Sequence, residues 1–115
     1  MTDLIRPDRR ALLELDAVLS KIEGLGDAGS RARYDRDDVY RWAIHRLWIA
    51  AGNEAFNYVS ALGRHINQTQ PWGRIYERRN RLAHQPLADI DDDAIWRVTV
   101  MRTGGYRQRA RALLS

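Results

Sequence analysis

The sequence predicts an all-α protein, an antiparallel up-and-down bundle of four to five helices forming one domain over residues 1–115. Apolar residues recur at helical spacing in several segments, and prolines or glycines stand at the ends of those segments. No segment shows the alternating pattern of a strand. A chain of 115 residues is long enough for a single hydrophobic core.

The first helix is predicted over residues 7–23, because Pro7 suits a first helical turn and Gly24 suits a helix end. Its apolar stripe consists of Leu12, Leu15, Leu19 and Ile22. A polar loop that contains glycine follows, over residues 24–35.

The second helix is predicted from Asp37 or Asp38, whose carboxylates can cap free amides, to about Leu62. Glu54 lies within its main apolar stripe and needs a partner there, either Arg79 across the bundle or any other arginine. Gly52 indicates a close helix crossing or, equally, a local kink. A second apolar face implies cover by another subunit, so we expect a dimer. That second face consists of Trp42, Ile49 and Phe56, and the main stripe of Tyr40, Ile44, Leu47, Ala51, Tyr58 and Leu62.

The third helix is predicted after a polar connector, residues 65–70, with Thr69 or Gln70 as its cap and Pro71 in its first turn. It should end near His84, because Pro86 favours an extended conformation at the residue before it. One side of this helix carries Trp72, Ile75, Arg79 and Leu82. Arg79 is therefore expected on the apolar face, whereas Arg78 and Arg81 are expected on the outer face.

The fourth helix is predicted over residues 92–102, with the acidic run "DIDDD" supplying its cap and first turn. Its apolar positions are Ile95, Trp96 and Val98. The residues "TGG" are expected to end it, and the last ten residues to form a short basic helix.

The composition narrows the classes of function. The chain has no cysteine, which excludes disulfides, thiolate zinc sites and a cysteine nucleophile. No apolar run is long enough to span a membrane, and the first ten residues lack the apolar core of a signal peptide. We therefore expect a cytoplasmic protein. Of 19 basic residues, all but Lys21 are arginine, which indicates either phosphate binding or simply a GC-rich coding sequence.

Arg79, Asn80 and His84 form the candidate catalytic site. Asn80 and His84 are neighbours on one helical face, and Arg79 lies beside them. A histidine exchanges protons near neutral pH, and a guanidinium stabilises charge on phosphate oxygens. These groups suit RNA cleavage without a metal. Equally, a histidine at a helix end complements the helix dipole, and the Arg–His spacing alone is a weak motif in a chain with 18 arginines.

The segment "PWGRIYERRNRLAHQPLADID" resembles the signature of HEPN proteins, in particular the HepT-like toxins. In these, a Pro-Trp helix start precedes Arg-Asn-x-x-x-His and a short acidic stretch. The upstream "YRWAIHRLWIAAGNEA" is similar to the second helix of that family. The resemblance covers residues 38–97, matches the first helix only in kind, and matches the C-terminal tail poorly.

The resemblance implies a dimeric ribonuclease toxin. Arg79 and His84 would be its catalytic pair and Asn80 their support, with no metal or cofactor required. Apart from the resemblance, we expect Arg78 and Arg81 to contact RNA and Glu54 to hold Arg79 in place. The implied partner is a minimal nucleotidyltransferase antitoxin. That antitoxin commonly modifies a tyrosine two residues after the histidine, where this chain has Pro86.

Two other interpretations remain open at the sequence level. One is a non-catalytic HEPN module that binds a nucleotidyltransferase or a nucleotide, and the other is a helical nucleic-acid binder without chemistry. His45, expected on the exposed or interface side of its helix, and His65, in a connector, are interpreted as non-catalytic. The three histidines do not have the spacing of a metal site.

Overall fold

Six α-helices make up most of residues 5–115, which are the residues that the computed structural model describes. The first four residues, part of the segment in which no signal peptide is predicted, lie outside this range. Within it there is no strand, and no helix has the length and apolarity needed to cross a membrane. The helices are α1 (Pro7–Ala28), α2 (Arg31–Arg36), α3 (Asp38–Ala61), α4 (Trp72–His84), α5 (Asp92–Met101) and α6 (Thr103–Leu114).

The all-helical prediction is confirmed, and the bounds of α3, α4 and α5 agree with it to within a residue or so. The four-to-five-helix count was too low, because α2 forms inside the predicted loop. The Ser30 side chain caps α2 by accepting a hydrogen bond from the Arg33 amide, and Tyr34 is fully buried. The helix α2 therefore forms without an apolar stripe, with one buried aromatic side chain and with polar bonds from Arg41 on α3 and to Asp93 on α5.

The first helix does not end at Gly24, as predicted, but continues to Ala28. Gly26 is buried against Thr99, whose Cγ2 would lie 3.1 Å from an added Cβ. Because residue 26 within α1 is a glycine, α5 can approach α1 closely at this point. The residues "TGG" likewise belong to the first turn of α6, since the break lies at Arg102.

The core lies between α1 and α3, with α4 packed on α3, and α5 and α6 packed on α1. The predicted stripe of α1 is buried, and so are most of the apolar positions predicted in the other helices. Leu62 is an exception, because it follows the end of α3 and is 38% exposed. Fully buried side chains at the centre include Leu15, Leu19, Ile22, Ile44, Trp48, Val59, Ile75 and Ile95.

A glycine brings α3 and α4 together. A Cβ added at Gly52 would lie 2.1 Å from the Cβ of Arg79 and 3.1 Å from the carbonyl oxygen of Ile75. The second distance is tight and the first is far below van der Waals contact, so only glycine fits at this position with α4 where it is. Gly52 marks a close helix crossing, the first of the two alternatives that the sequence left open.

Within residues 5–115, one face of α3 is not covered by other parts of the structure. Val39, Trp42 and Phe56 are 76%, 48% and 40% exposed, and Ile49 is half-buried between them. These four residues, spaced three or seven apart, lie along one side of the helix and are called the α3 outer stripe. Its position agrees with the second apolar face that the sequence predicts.

Candidate functional site

The bounds of α4 place the candidate residues at the end of a short helix. The Gln70 side chain accepts a hydrogen bond from the Arg74 amide at the N-terminal end. At the other end Gln85 is extended, with ψ 143°, because Pro86 follows it. His84 is therefore the last helical residue, as predicted.

Arg79 is held by two side-chain hydrogen bonds. Its Nε donates to Oδ1 of Asn53 on α3, at 2.8 Å, and its NH1 donates to Oδ1 of Asn80, at 2.9 Å. The side chain is half-buried, because its Cβ lies against Gly52. These two bonds fix the plane of the guanidinium and leave NH2 and one NH1 hydrogen for another acceptor.

Glu54 does not support Arg79 as expected. Its carboxylate accepts a hydrogen bond from Asn57 on its own helix, at 2.9 Å, and within residues 5–115 it forms no ion pair. The residue that reaches Arg79 is its neighbour Asn53. One residue along a helix is a rotation of about 100°, so the register of the crossing decides which of the two faces Arg79. Sequence reasoning missed Asn53, although Gly52 beside it was a usable signal.

The remaining donors of Arg79 face a groove of about 370 Å³ between α3 and α4. Phe56 and Tyr76 form one wall, with ring centroids 5.0 Å apart and an interplanar angle of 32°. Asn53 and Asn57 provide polar groups on the α3 side. The groove thus combines one oriented cation, two amides and an aromatic wall, and it is continuous with the α3 outer stripe at Phe56.

His84 is exposed at the C-terminal end of α4, and within the described chain its ring forms no side-chain hydrogen bond. It does not line the groove that Arg79 faces. One copy of the chain therefore brings Arg79 and Asn80 together and leaves His84 outside the groove that Arg79 lines.

Arg78 does not lie on the outer face of α4, where the sequence placed it. It is half-buried in a cleft of about 300 Å³ between α4, α5 and α6. Burial, and to a smaller extent the neighbouring guanidinium of Arg81, lower the pKa of Arg78. Arg81 is exposed, as expected, and is ion-paired with Glu77 at 2.6 Å.

The same cleft contains three further arginines and an apolar floor. Among residues 5–115, Glu77 is its only acidic lining residue, so the five arginines give it a strongly positive field. We call it the arginine cleft. The arginines are Arg74, Arg78, Arg81, Arg97 and Arg102, and the floor is formed by Trp48, Ile75, Ala94, Val98 and Tyr106.

His45 is buried rather than exposed, which corrects the expectation from the sequence. Its Nε2 lies 2.8 Å from the hydroxyl oxygen of Tyr34 and 3.3 Å from Oδ1 of Asp92. The Tyr34 hydroxyl donates to that same carboxylate at 2.6 Å. Burial lowers the pKa of His45 against the opposing effect of Asp92, and burial raises the pKa of Tyr34. The cluster joins α2, α3 and α5.

Comparison of the chain with models of known protein families, with curated proteins and with solved structures finds no significant match.

Proposed function

We propose that the protein is a metal-independent endoribonuclease of the HEPN type that acts as a homodimer. The observation that carries the proposal is the state of Arg79, whose guanidinium is oriented by Asn53 and Asn80 and retains free donors toward an open groove. A fixed cation with unused donors is suited to binding a phosphodiester and the charge that develops on it during reaction. In the HEPN-like sequence pattern around Arg79, the histidine that would act with it is His84.

The chemistry is an internal transfer within RNA. The 2′-oxygen attacks the adjacent phosphorus, the bond from phosphorus to the 5′-oxygen breaks, and a 2′,3′-cyclic phosphate forms. A neutral histidine takes the proton of the 2′-hydroxyl, and a protonated histidine gives one to the departing 5′-oxygen. Arg79 stabilises the additional negative charge on the non-bridging oxygens.

Two copies of the chain suit this scheme better than one. The reaction uses both an acid and a base, whereas each copy offers one histidine at the end of α4. Pairing through the α3 outer stripe would bury Trp42 and Phe56 and bring a second α4 to the groove that Arg79 faces. An interface rich in aromatic side chains is typical of stable association.

In the cell we propose that the protein is the toxin of a pair whose antitoxin is a minimal nucleotidyltransferase. Pro86 cannot carry a nucleotide, because it has no hydroxyl group. Neutralisation in this pair would therefore rest on binding, or on modification of a residue other than 86.

Cleavage by a His84→Ala variant tests the proposal. We expect loss of RNA cleavage by at least about a hundredfold, since general acid–base groups contribute about 10²–10⁴ in rate, with helical content and oligomeric state unchanged. The matched control is His65→Ala, which removes an exposed histidine from the connector before α4. Equal cleavage by the parent and His84→Ala would exclude His84 as a catalytic residue.

A non-catalytic HEPN module that binds a nucleotidyltransferase or a nucleotide is the second candidate. It is favoured by two observations. Within one chain His84 does not line the groove that Arg79 lines, and the Arg79 side chain packs against Gly52 at the α3–α4 crossing, which is a structural role. Expression in a bacterium separates the two candidates. A ribonuclease should arrest growth, and its His84→Ala variant should not. A non-catalytic module should have the same effect on growth whether residue 84 is histidine or alanine.

A further inference from the structure

The arginine cleft lies on a different side of α4 from Arg79. Adjacent residues on a helix point about 100° apart, so Arg78 faces α5 and α6 while Arg79 faces α3. The cleft and the candidate catalytic groove therefore share a helix but have no lining residue in common. A ligand in the cleft would not compete for the free donors of Arg79.

Most of the positive charge in the cleft is not neutralised by the protein. Among residues 5–115, only Arg81 of the five arginines has a carboxylate within ion-pair distance, that of Glu77. By contrast, Arg107 on the α1–α6 side of the molecule pairs with Asp16 and Glu23 at 3.3 and 2.7 Å. Unpaired guanidinia that converge from α4, from α5 and from the junction of α5 and α6 repel one another, so an anion between them is stabilising.

The floor of the cleft is apolar and carries one accessible aromatic ring. Tyr106 is half-buried, and its ring meets that of Trp48 edge to face at a centroid distance of 6.5 Å. A ring fixed in this way offers a surface on which a planar group can stack. Phosphate-binding walls around an aromatic floor are the combination found where proteins hold unpaired nucleotides.

We propose that the arginine cleft is a binding site for single-stranded RNA, separate from the reacting phosphate. The arginines bind backbone phosphates, and one base lies on the floor against Tyr106. The inference rests on the proposed function only in taking RNA as the substrate. A paired strand does not fit this site, because its bases are stacked inside the duplex and cannot reach the floor.

The cleft also has a defined end. A narrower crevice of about 60 Å³ adjoins it, shares Arg78 and Arg81 with it, and reaches Gln85, the neighbour of His84. Asp89 and Asp91 line this crevice, and their charge disfavours phosphate there. The phosphate-binding stretch is therefore expected between Arg97, Arg102 and Arg78, away from that crevice.

Binding of an uncleavable strand tests the site independently of catalysis. The probe is fluorescein-labelled 2′-O-methyl decauridylate, which has no 2′-hydroxyl to attack, and the readout is anisotropy of the full chain at several salt concentrations. The double variant Arg97→Gln/Arg102→Gln should bind about tenfold more weakly. Its slope of log affinity against log salt should fall by about 1.4, at about 0.7 for each phosphate contact of a single strand.

The matched control is Arg10→Gln/Arg36→Gln, which removes the same charge from two exposed arginines outside the cleft. It should leave the salt slope within about 0.3 of the parent, since it removes no phosphate contact. A Tyr106→Leu variant should weaken the decauridylate about tenfold, because stacking of one base is lost. Competition by inorganic tripolyphosphate should be unchanged in that variant.

Three results would overturn the proposal. The first is an equal loss of affinity in the control pair, which would indicate non-specific attraction to net charge. The second is a duplex of 2′-O-methyl RNA bound as tightly as the single strand. The third is a decaglutamate peptide bound as tightly as the RNA with the same dependence on Arg97 and Arg102, which would indicate a site for an acidic protein segment. If the protein does not cleave RNA but these binding results hold, the proposed ribonuclease function is wrong and the RNA-binding site in the arginine cleft stands.

Discussion

Asn53 on α3 accepts a hydrogen bond from Nε of Arg79 on α4, at 2.8 Å and next to the point where the two helices cross. The bond joins residues 26 positions apart in the chain, and it exists only because Gly52 lets α4 approach. The candidate catalytic cation is therefore positioned by tertiary packing.

Substitution of Asn53 should lower the rate of RNA cleavage without affecting the fold. In Asn53→Ala the guanidinium loses one of its two fixed bonds, and we expect kcat to fall by about tenfold, equivalent to about 1.4 kcal/mol, with KM changed less. Asn67→Ala, an exposed asparagine in the connector before α4, is the control. A change confined to KM would show that Asn53 contributes to RNA binding rather than to the orientation of Arg79.

Gly52→Ala should destabilise the protein, whereas Gly24→Ala should stabilise it. A Cβ at residue 52 would overlap Arg79, so the free energy of unfolding should fall by about 3 kcal/mol. Gly24 lies within α1 with nothing within 4 Å of an added Cβ, and alanine there should add about 0.5–1 kcal/mol. Urea unfolding followed by circular dichroism measures both. Similar effects at the two positions would contradict the close crossing.

The α3 outer stripe should be the dimer interface. Phe56→Glu places a charge at its C-terminal end and should convert a dimer to a monomer in sedimentation at about 10 µM, because an unpaired buried charge costs several kcal/mol. Leu13→Glu is a closely matched control, since Leu13 on α1 is 41% exposed and Phe56 is 40% exposed. A parent protein that is monomeric at this concentration, or a dimer that survives Phe56→Glu, would count against the interface.

The stability of the fold should decrease in mild acid because of His45. Burial lowers its pKa below the ordinary 6.5 against the opposing effect of Asp92, and Arg41 contributes to the lowering. The unfolded chain then binds a proton more readily than the folded one, so the free energy of unfolding falls as the pH drops below about 6.5. Tyr34 stays neutral over this range, since its pKa is raised.

The comparison that checks this is between the parent and His45→Gln, which keeps a side-chain donor toward Tyr34 and Asp92. Urea unfolding from pH 7.5 to 5 should show a shallower pH dependence in the variant. His65→Gln, at an exposed position, should match the parent. If the pH dependence is unchanged in His45→Gln, the loss of stability in mild acid comes from carboxylates and not from His45.

The sequence predicted the parts of the fold that local chemistry controls. Pro71 and Pro86 bracket α4 closely, and the helical spacing turned Arg79 inward. The helix α2 was not predictable from periodicity, because Tyr34 is its one buried residue and its other contacts are polar bonds to α3 and α5. Its capping residue Ser30 was visible in the sequence but had no apolar run behind it.

The candidate site was predictable only in part. Arg79 and Asn80 do meet, as their adjacency suggests. The partner on α3 depended on the register of the crossing, and the position of Arg78 depended on α5 and α6 closing over one side of α4. A helical wheel drawn for α4 alone shows neither Asn53 on α3 nor the helices α5 and α6. It therefore placed Arg78 on the surface.

The crossing at Gly52 also constrains how chains of this kind can diverge. A side chain larger than glycine at position 52 would push α4 outward and separate Asn53 from Arg79. A change at any one of the positions 52, 53 and 79 would therefore disturb the arrangement of the other two. We expect related chains either to keep glycine, asparagine and arginine as a set or to replace all three together. A survey of paired substitutions at positions 52, 53 and 79 would thus separate lineages that retain this arrangement from those that have abandoned it.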